Sequence, residues 1–167
     1  MGWGAMIGTT TGYANIAVGL SSLANNSTGY FNTTVGYQAG SAVTTASHNT
    51  LIGGLAGDAL TTGASNVAVG YGAFTTDDVG QWNVAIGRDA LASQNTASAA
   101  NTYNTAVGGG AGQVLTIGTQ NTALGGLAGN TITTGSQNTM LGYAVQVSGG
   151  SGTRQIVIGS NQSGGGD

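Results

Sequence analysis

A phrase that recurs every seventeen residues restricts how this chain can fold more than any other feature. In each copy, asparagine is followed three residues later by an aliphatic residue and then by glycine. The asparagines that begin the phrase are Asn15, Asn32, Asn49, Asn66, Asn83, Asn104, Asn121 and Asn138, with Gln155 in the same place at the end. Only the step from Asn83 to Asn104 is longer, by four residues. One such unit cannot bury an apolar face alone, whereas a stack of units can.

The three residues after each asparagine have the pattern of a short β-strand. The first is β-branched, the third is aliphatic and glycine follows, as in Val67, Val69 and Gly70. Such alternation is typical of a strand, and glycine on either side indicates bends. Threonine pairs such as Thr44–Thr45 are expected to form a second strand or its turn. The sequence therefore predicts an all-β, parallel β-solenoid over residues 1–159, with one coil per repeat, followed by a glycine-rich tail over 160–167.

The asparagine column has a structural explanation. Stacked amide side chains can hydrogen-bond along the axis of a cross-β stack, and asparagine tolerates bent backbone. We therefore assign the eight asparagines to a structural ladder and not to ligand binding.

Both faces of the predicted strand are largely apolar. The first and third residues share one face, and the residue between them, such as Ala68 or Leu51, points to the other. One face can fill the coil interior. The other then forms an exposed apolar stripe, which usually marks an interface, so we expect the chains to associate side by side.

Several repeats resemble those of a known family. "NVAVGYGAF", "NVAIGRDAL" and "NTAVGGGAG" are similar to the repeats in the head domains of trimeric autotransporter adhesins, and "NTTVGYQAG" at 32–40 is similar to phrases in phage tail-fibre proteins. The resemblance covers residues 2–159 and implies a left-handed β-roll in which three chains form one unit. The usual adhesin repeat is shorter than the one found here. Because no secretion signal, stalk or membrane anchor is visible, the phage fibre is the favoured carrier.

The composition argues against several functions. Charged residues make up 4% of the chain, only two of them are basic and the net charge is −3, so no phosphate-tracking surface is expected. The chain has one histidine and no cysteine, glutamate or lysine, which leaves little for acid–base catalysis. No apolar run approaches the roughly 20 residues of a membrane helix. We expect no enzyme activity, cofactor, metal site, nucleic-acid partner or membrane insertion.

The break in the repeat gives the candidate contact site. Four extra residues lie between Leu91 and Tyr103, and insertions in solenoids form loops that often bind. The candidate receptor contacts around this break are Trp82, Tyr103, Asp77, Asp78, Arg88, Asp89, Asn95 and Asn101. The alternative is a tolerated insertion whose aromatic residues only hold neighbouring coils together.

These observations predict a non-enzymatic fibre or adhesin segment. We expect it to form a homotrimer or filament and to present a contact for a glycan or protein on a host surface. The expected location is a virion, with the extracellular space or a cell surface as the alternative. A purely structural filament or spacer is the second interpretation. An ice-binding solenoid, based on the threonine columns, is the third.

Overall fold

Nine short strands lie in one parallel sheet, in chain order. The computed structural model describes residues 2–96 and 101–161, so most of the expected tail and four residues of the insertion lie outside the described part. The strands are β1 (Ile16–Val18), β2 (Thr33–Val35), β3 (Thr50–Ile52), β4 (Val67–Val69), β5 (Val84–Ile86), β6 (Thr105–Val107), β7 (Thr122–Leu124), β8 (Thr139–Leu141) and β9 (Ile156–Ile158). The described residues contain no helix. The predicted all-β parallel solenoid with one coil per repeat is confirmed.

Successive coils stack with equivalent residues in register. Ala68 in β4, for example, lies opposite Ala85 in β5, and this register is kept across the insertion, where Ala85 lies opposite Ala106. We number the positions of each coil from 1, the anchor asparagine, to 17, the residue before the next anchor. The strand then occupies positions 2–4.

Glycine is required at position 5 because the backbone there takes a conformation closed to other residues. Gly108 has a φ of +137°, and a Cβ on it would lie 2.4 Å from the carbonyl oxygen of Gly125 in the next coil. The neighbouring Gly109, at position 6, has open space around an added Cβ. Close stacking of the coils therefore fixes the glycine at position 5 but not the one at position 6.

The core is filled by inward residues whose size differs from coil to coil. The middle strand residue at position 3 points inward, together with positions 8, 9 and 12. In the coil with Leu51 at position 3, position 9 is Gly57, and a Cβ on Gly57 would lie 2.8 Å from the Leu51 side chain. In the next coil position 3 is the small Ala68 and position 9 is the buried Phe74. In these two coils a large residue at one position accompanies a small one at the other, which keeps the core closely packed.

Of the two alternatives expected for the threonine pairs, a second strand or its turn, the strand is not found among the described residues. The threonine pairs lie in bends instead. At position 13 the hydroxyl groups donate along the stack: Thr44 Oγ1 to the carbonyl oxygen of Thr61 at 3.2 Å, and Thr61 Oγ1 to that of Asp78 at 2.9 Å. Side-chain-to-backbone bonding of this kind replaces part of a strand ladder.

The anchor asparagines form a buried chain of hydrogen bonds. The backbone N–H and Nδ2 of Asn66 both donate to Asn49 Oδ1, at 2.9 and 3.2 Å. Nδ2 of Asn66 also donates to the carbonyl oxygen of Gly80 at 2.8 Å. Asn83 repeats the pattern on Asn66 Oδ1. Each of these buried amides is satisfied by the coil above and the coil below, which ties the coils together.

The strand residues at positions 2 and 4 form the outer face of the sheet. Position 3 is the inward residue, which identifies the exposed stripe as positions 2 and 4. The large exposed residues on this outer strand face are Ile16, Val18, Ile52, Ile86, Leu124, Leu141, Ile156 and Ile158. No charged residue stands at either position from β1 to β9.

Candidate surface-contact site

Trp82 and Tyr103 occupy position 17 of successive coils, at the turn before the strand. Both have left-handed backbone, with φ of 61° and 52°. Their rings stack, with centroids 6.4 Å apart and planes 23° from parallel, and each side chain is about half exposed. Asn101 Nδ2 donates to the hydroxyl of Tyr103 at 3.1 Å. These three residues form one exposed aromatic and polar group at the edge of the solenoid.

The other surface residues predicted for the contact lie in two separate columns. Asp78 and Asn95 are exposed at position 13 of neighbouring coils. Arg88 and Asp89 follow β5, at the opposite end of the strand from Trp82. Their side chains pair with each other, Nε to Oδ2 at 3.1 Å, and the guanidinium lies 6.0 Å from the centre of the Tyr71 ring. The eight predicted residues therefore do not form one site.

Asp77 was predicted as a surface contact, but the structure buries it completely. It stands at position 12, where other coils place inward aliphatic residues such as Leu60 and Leu115. Asp77 Oδ1 accepts from the backbone N–H groups of Val79 and Gly80, at 3.2 and 2.8 Å. A fully buried carboxylate cannot meet a receptor, so Asp77 has a structural role.

Buried partners on both sides of the insertion surround this carboxylate. Gln94 Nε2 donates to Asp77 Oδ2 at 3.0 Å, and Thr96 Oγ1 donates to Asp77 Oδ1 at 3.0 Å. Gln94 Nε2 also lies 3.2 Å from the hydroxyl of Thr102. Thr96 precedes the four extra residues and Thr102 follows them closely. We call Asp77, Gln94, Thr96 and Thr102 the polar core; it holds both ends of the insertion.

At the polar core, the hydrogen bonds of the asparagine ladder pass through Gln94 and Thr102. Asn104 Nδ2 donates to Gln94 Oε1 at 2.9 Å, not to the preceding anchor. Asn83 Oδ1 accepts from the hydroxyl of Thr102 at 2.6 Å and from the backbone N–H of Asn104 at 3.1 Å. The extra residues are thus accommodated without leaving either amide unsatisfied.

Sequence reasoning missed a second aromatic group on the same edge. Tyr13 and Tyr30, at position 16, stack with centroids 5.1 Å apart and planes 3° from parallel. Phe31 and His48, at position 17, have ring centroids 5.5 Å apart, and Tyr30 packs edge-on against both. The members of each pair are one repeat apart, so comparing the columns before the anchor would have found them. His48 is exposed, as expected of a turn residue.

Two general features complete the description of residues 2–96 and 101–161. They include no cluster of three or more His, Cys, Asp or Glu side chains placed to hold a metal ion. They also include no helix with the length and apolar character needed to cross a membrane.

The chain matches no protein-family model, and neither curated proteins nor solved structures show significant similarity to it. Its function is therefore argued from its own surface.

Proposed function

We propose that this protein is a non-enzymatic segment of an oligomeric fibre, in which copies of the chain pack side by side and leave one edge free for surface contact. The observation that carries the proposal is the outer strand face. It has an aliphatic residue at position 4 of every strand from β1 to β9 and no charged residue at positions 2 and 4, and it is largely exposed in the single chain. Continuous apolar surface of this kind marks an interface.

The energetic argument for side-by-side packing is direct. Removing an exposed Val, Leu or Ile side chain fully from water contributes about 1.5–3 kcal/mol. Ile52, Ile86 and Leu124 are 37, 37 and 43% exposed in the single chain, so each would contribute roughly 1 kcal/mol, repeated along the rod. Packing the same face of several copies together would bury these side chains without burying any charge.

The resemblance to adhesin heads and tail fibres favours three copies and a left-handed coil. A tail fibre in a virion is the preferred setting, and an extracellular or cell-surface adhesin is the alternative. The group formed by Trp82, Tyr103 and Asn101 is the best-defined contact for a host-surface glycan or protein. It lies at the edge of the strand and not on the outer strand face.

Binding to intact bacterial cells of several species tests the contact. Fluorescently labelled protein is expected to bind at least one species, and the double variant Trp82→Ala/Tyr103→Ala is expected to lose that binding. Tyr143→Ala, which removes an exposed ring at the other end of the strand, serves as the matched control. Equal binding by the aromatic double variant would remove this site assignment.

Two other functions give different results. A structural filament or spacer would bind no cells, and negative-stain images would show continuous fibres and not discrete rods. An ice-binding solenoid would produce thermal hysteresis. The hydroxyl groups of Thr44, Thr61 and Thr116 already donate to carbonyl oxygens along the stack, which limits how that column can order water.

A further inference from the structure

Position 17 places one side chain per coil along the same edge of the rod. From Phe31 onward the residues of this column are Phe31, His48, Ser65, Trp82, Tyr103, Gln120, Gln137 and Arg154. Successive members contact one another where they are long enough: Phe31 packs on His48, Trp82 on Tyr103, and Gln137 Nε2 donates to Gln120 Oε1 at 3.0 Å. The edge is therefore a track of side chains that contact one another in pairs, with the short Ser65 between two of the aromatic pairs.

The aromatic residues of this track are costly for the fold. Phe31, Trp82 and Tyr103 have φ between 52° and 61°, in the left-handed region that favours glycine or asparagine. Holding a bulky residue there costs on the order of 1–3 kcal/mol. About half of each side chain remains in water, and burial of the other half contributes an amount of similar size to that cost. The exposed half of each ring is available for contact with another molecule.

Ser65 leaves a ring-sized gap in the track. His48 and Trp82 lie one coil below and one coil above it, so two coil spacings of roughly 4.8 Å separate them by about 10 Å. Rings in contact pack with centroids roughly 4.5–7 Å apart. One six-membered ring placed over Ser65 would therefore lie about 5 Å from each neighbour.

The surroundings of the gap favour an uncharged ligand. No charged residue stands at position 16 or 17 from Tyr13 to Tyr103. Ser65 and Gln81 supply a hydroxyl and an amide group beside the gap. A pyranose combines an apolar C–H face, which packs on aromatic rings, with peripheral hydroxyl groups that hydrogen-bond to neutral side chains.

We propose that the position-17 edge binds a linear, uncharged glycan that runs along the rod, with one pyranose ring held over Ser65 between His48 and Trp82. This inference rests on the proposed surface-contact function and adds to it the class of ligand, the path of the ligand and the residues of a subsite. Phe31 and Tyr103 extend the same track on either side of that subsite.

A glycan panel with matched variants tests the proposal. Neutral glucan, mannan and N-acetylglucosamine oligomers are immobilised beside heparin, and binding of the oligomeric protein is measured. Ser65→Tyr fills the gap with a residue that position 17 already accepts at Tyr103, so the variant is expected to fold and to lose at least tenfold in affinity. Trp82→Ala is expected to do the same. Tyr143→Ala, at the other end of the strand, should stay within twofold of the parent.

The proposal is overturned if no neutral oligomer binds at millimolar concentration, if heparin alone binds, or if Ser65→Tyr binds as the parent does. Cell binding separates this failure from that of the proposed function. Binding to cells that survives periodate oxidation of surface sugars but is lost after protease treatment of the cells would exclude the glycan while retaining a surface contact.

Discussion

The coil that begins at Asn121 and the coil that begins at Asn83 both stack in register on their neighbours, but different side chains hydrogen-bond between the coils. In the first, Asn138 Nδ2 donates directly to Asn121 Oδ1 at 3.0 Å, and position 12 is the buried Ile132. In the second, position 12 is the buried Gln94, stacked on Asp77, and the ladder runs through Gln94 and Thr102. The difference shows that the fold accepts a polar interior at position 12, and that beside the four-residue insertion this interior is connected by hydrogen bonds between side chains.

The backbone common to both coils should give the largest mutational effect. Gly87→Ala and Gly125→Ala each force a Cβ to within about 2.5 Å of a carbonyl oxygen in the next coil, at φ of 130° and 131°. Both are expected to lower the free energy of unfolding by at least about 3 kcal/mol in urea denaturation. Gly109→Ala, which meets open space, should change it by less than about 0.5 kcal/mol. A large difference between the Gly87 and Gly125 variants would mean that the two coils do not share one backbone.

The polar core should be the next most sensitive point. Asp77→Leu removes the acceptor of Gln94, Thr96 and two backbone N–H groups, and breaking such a buried network costs roughly 3–5 kcal/mol. Asp77→Leu/Gln94→Leu places aliphatic side chains at position 12 of both coils and removes the Gln94 amide that Asp77→Leu leaves unpaired, while Thr96 and the two N–H groups still lack the carboxylate. We therefore expect the double variant to be more stable than Asp77→Leu alone in urea denaturation. Additive losses would show that the two residues act independently.

Substitutions in the asparagine ladder should lower the free energy of unfolding by different amounts in the two regions, and the difference should be smaller than the effects above. Asn121→Ala leaves the carbonyl oxygen of Gly135 and the amide groups of Asn138 without their partner, at about 1–3 kcal/mol for each buried group left unsatisfied. Asn104→Ala also leaves Gln94 Oε1 in the polar core without its donor. We therefore expect it to lower the free energy of unfolding more than Asn121→Ala does. Gln120→Ala, next to Asn121 but exposed, is the control. Thermal unfolding followed by circular dichroism measures the stability of each variant. Equal losses of stability for the Asn104 and Asn121 variants would argue against a ladder that passes through Gln94.

Substitution of Asp58, in the regular part of the stack, should have the smallest effect on stability, and this effect should depend on pH. Burial raises its pKa above the ordinary 3.8, although backbone hydrogen bonds at Asp58 and Ala59 partly oppose this. The folded state therefore holds the Asp58 proton more tightly than the unfolded state does. The stability that Asp58 contributes is fully present below pH 3.8 and is lost as pH rises through the folded-state pKa. The stability advantage of Asp58→Asn over the parent should grow from about pH 3.5 to about pH 7. An advantage that does not change with pH would refute this explanation.

The stack of parallel coils could be predicted from the sequence because the residues that fix it recur at the same position of every repeat. Position 5 admits only glycine and the ladder needs asparagine, so both columns are visible without a structure. The polar core was not predicted, because Asp77 and Gln94 look like surface residues until position 12 is known to point inward. The same limitation placed Arg88 and Trp82 in one site, although the length of the strand separates them. The aromatic group around Tyr30 was missed because only departures from the repeat were searched.

The outer strand face is the centre of the functional proposal, and the mass of the protein in solution tests it most directly. Sedimentation equilibrium of the purified chain, which has a monomer mass of 16.1 kDa, is expected to show a discrete oligomer, with three copies the preferred number. Val69→Lys/Ile86→Lys places two charges on that face and should yield smaller species. A folded parent protein that remains monomeric at micromolar concentration would contradict the proposal that copies of this chain cover the face.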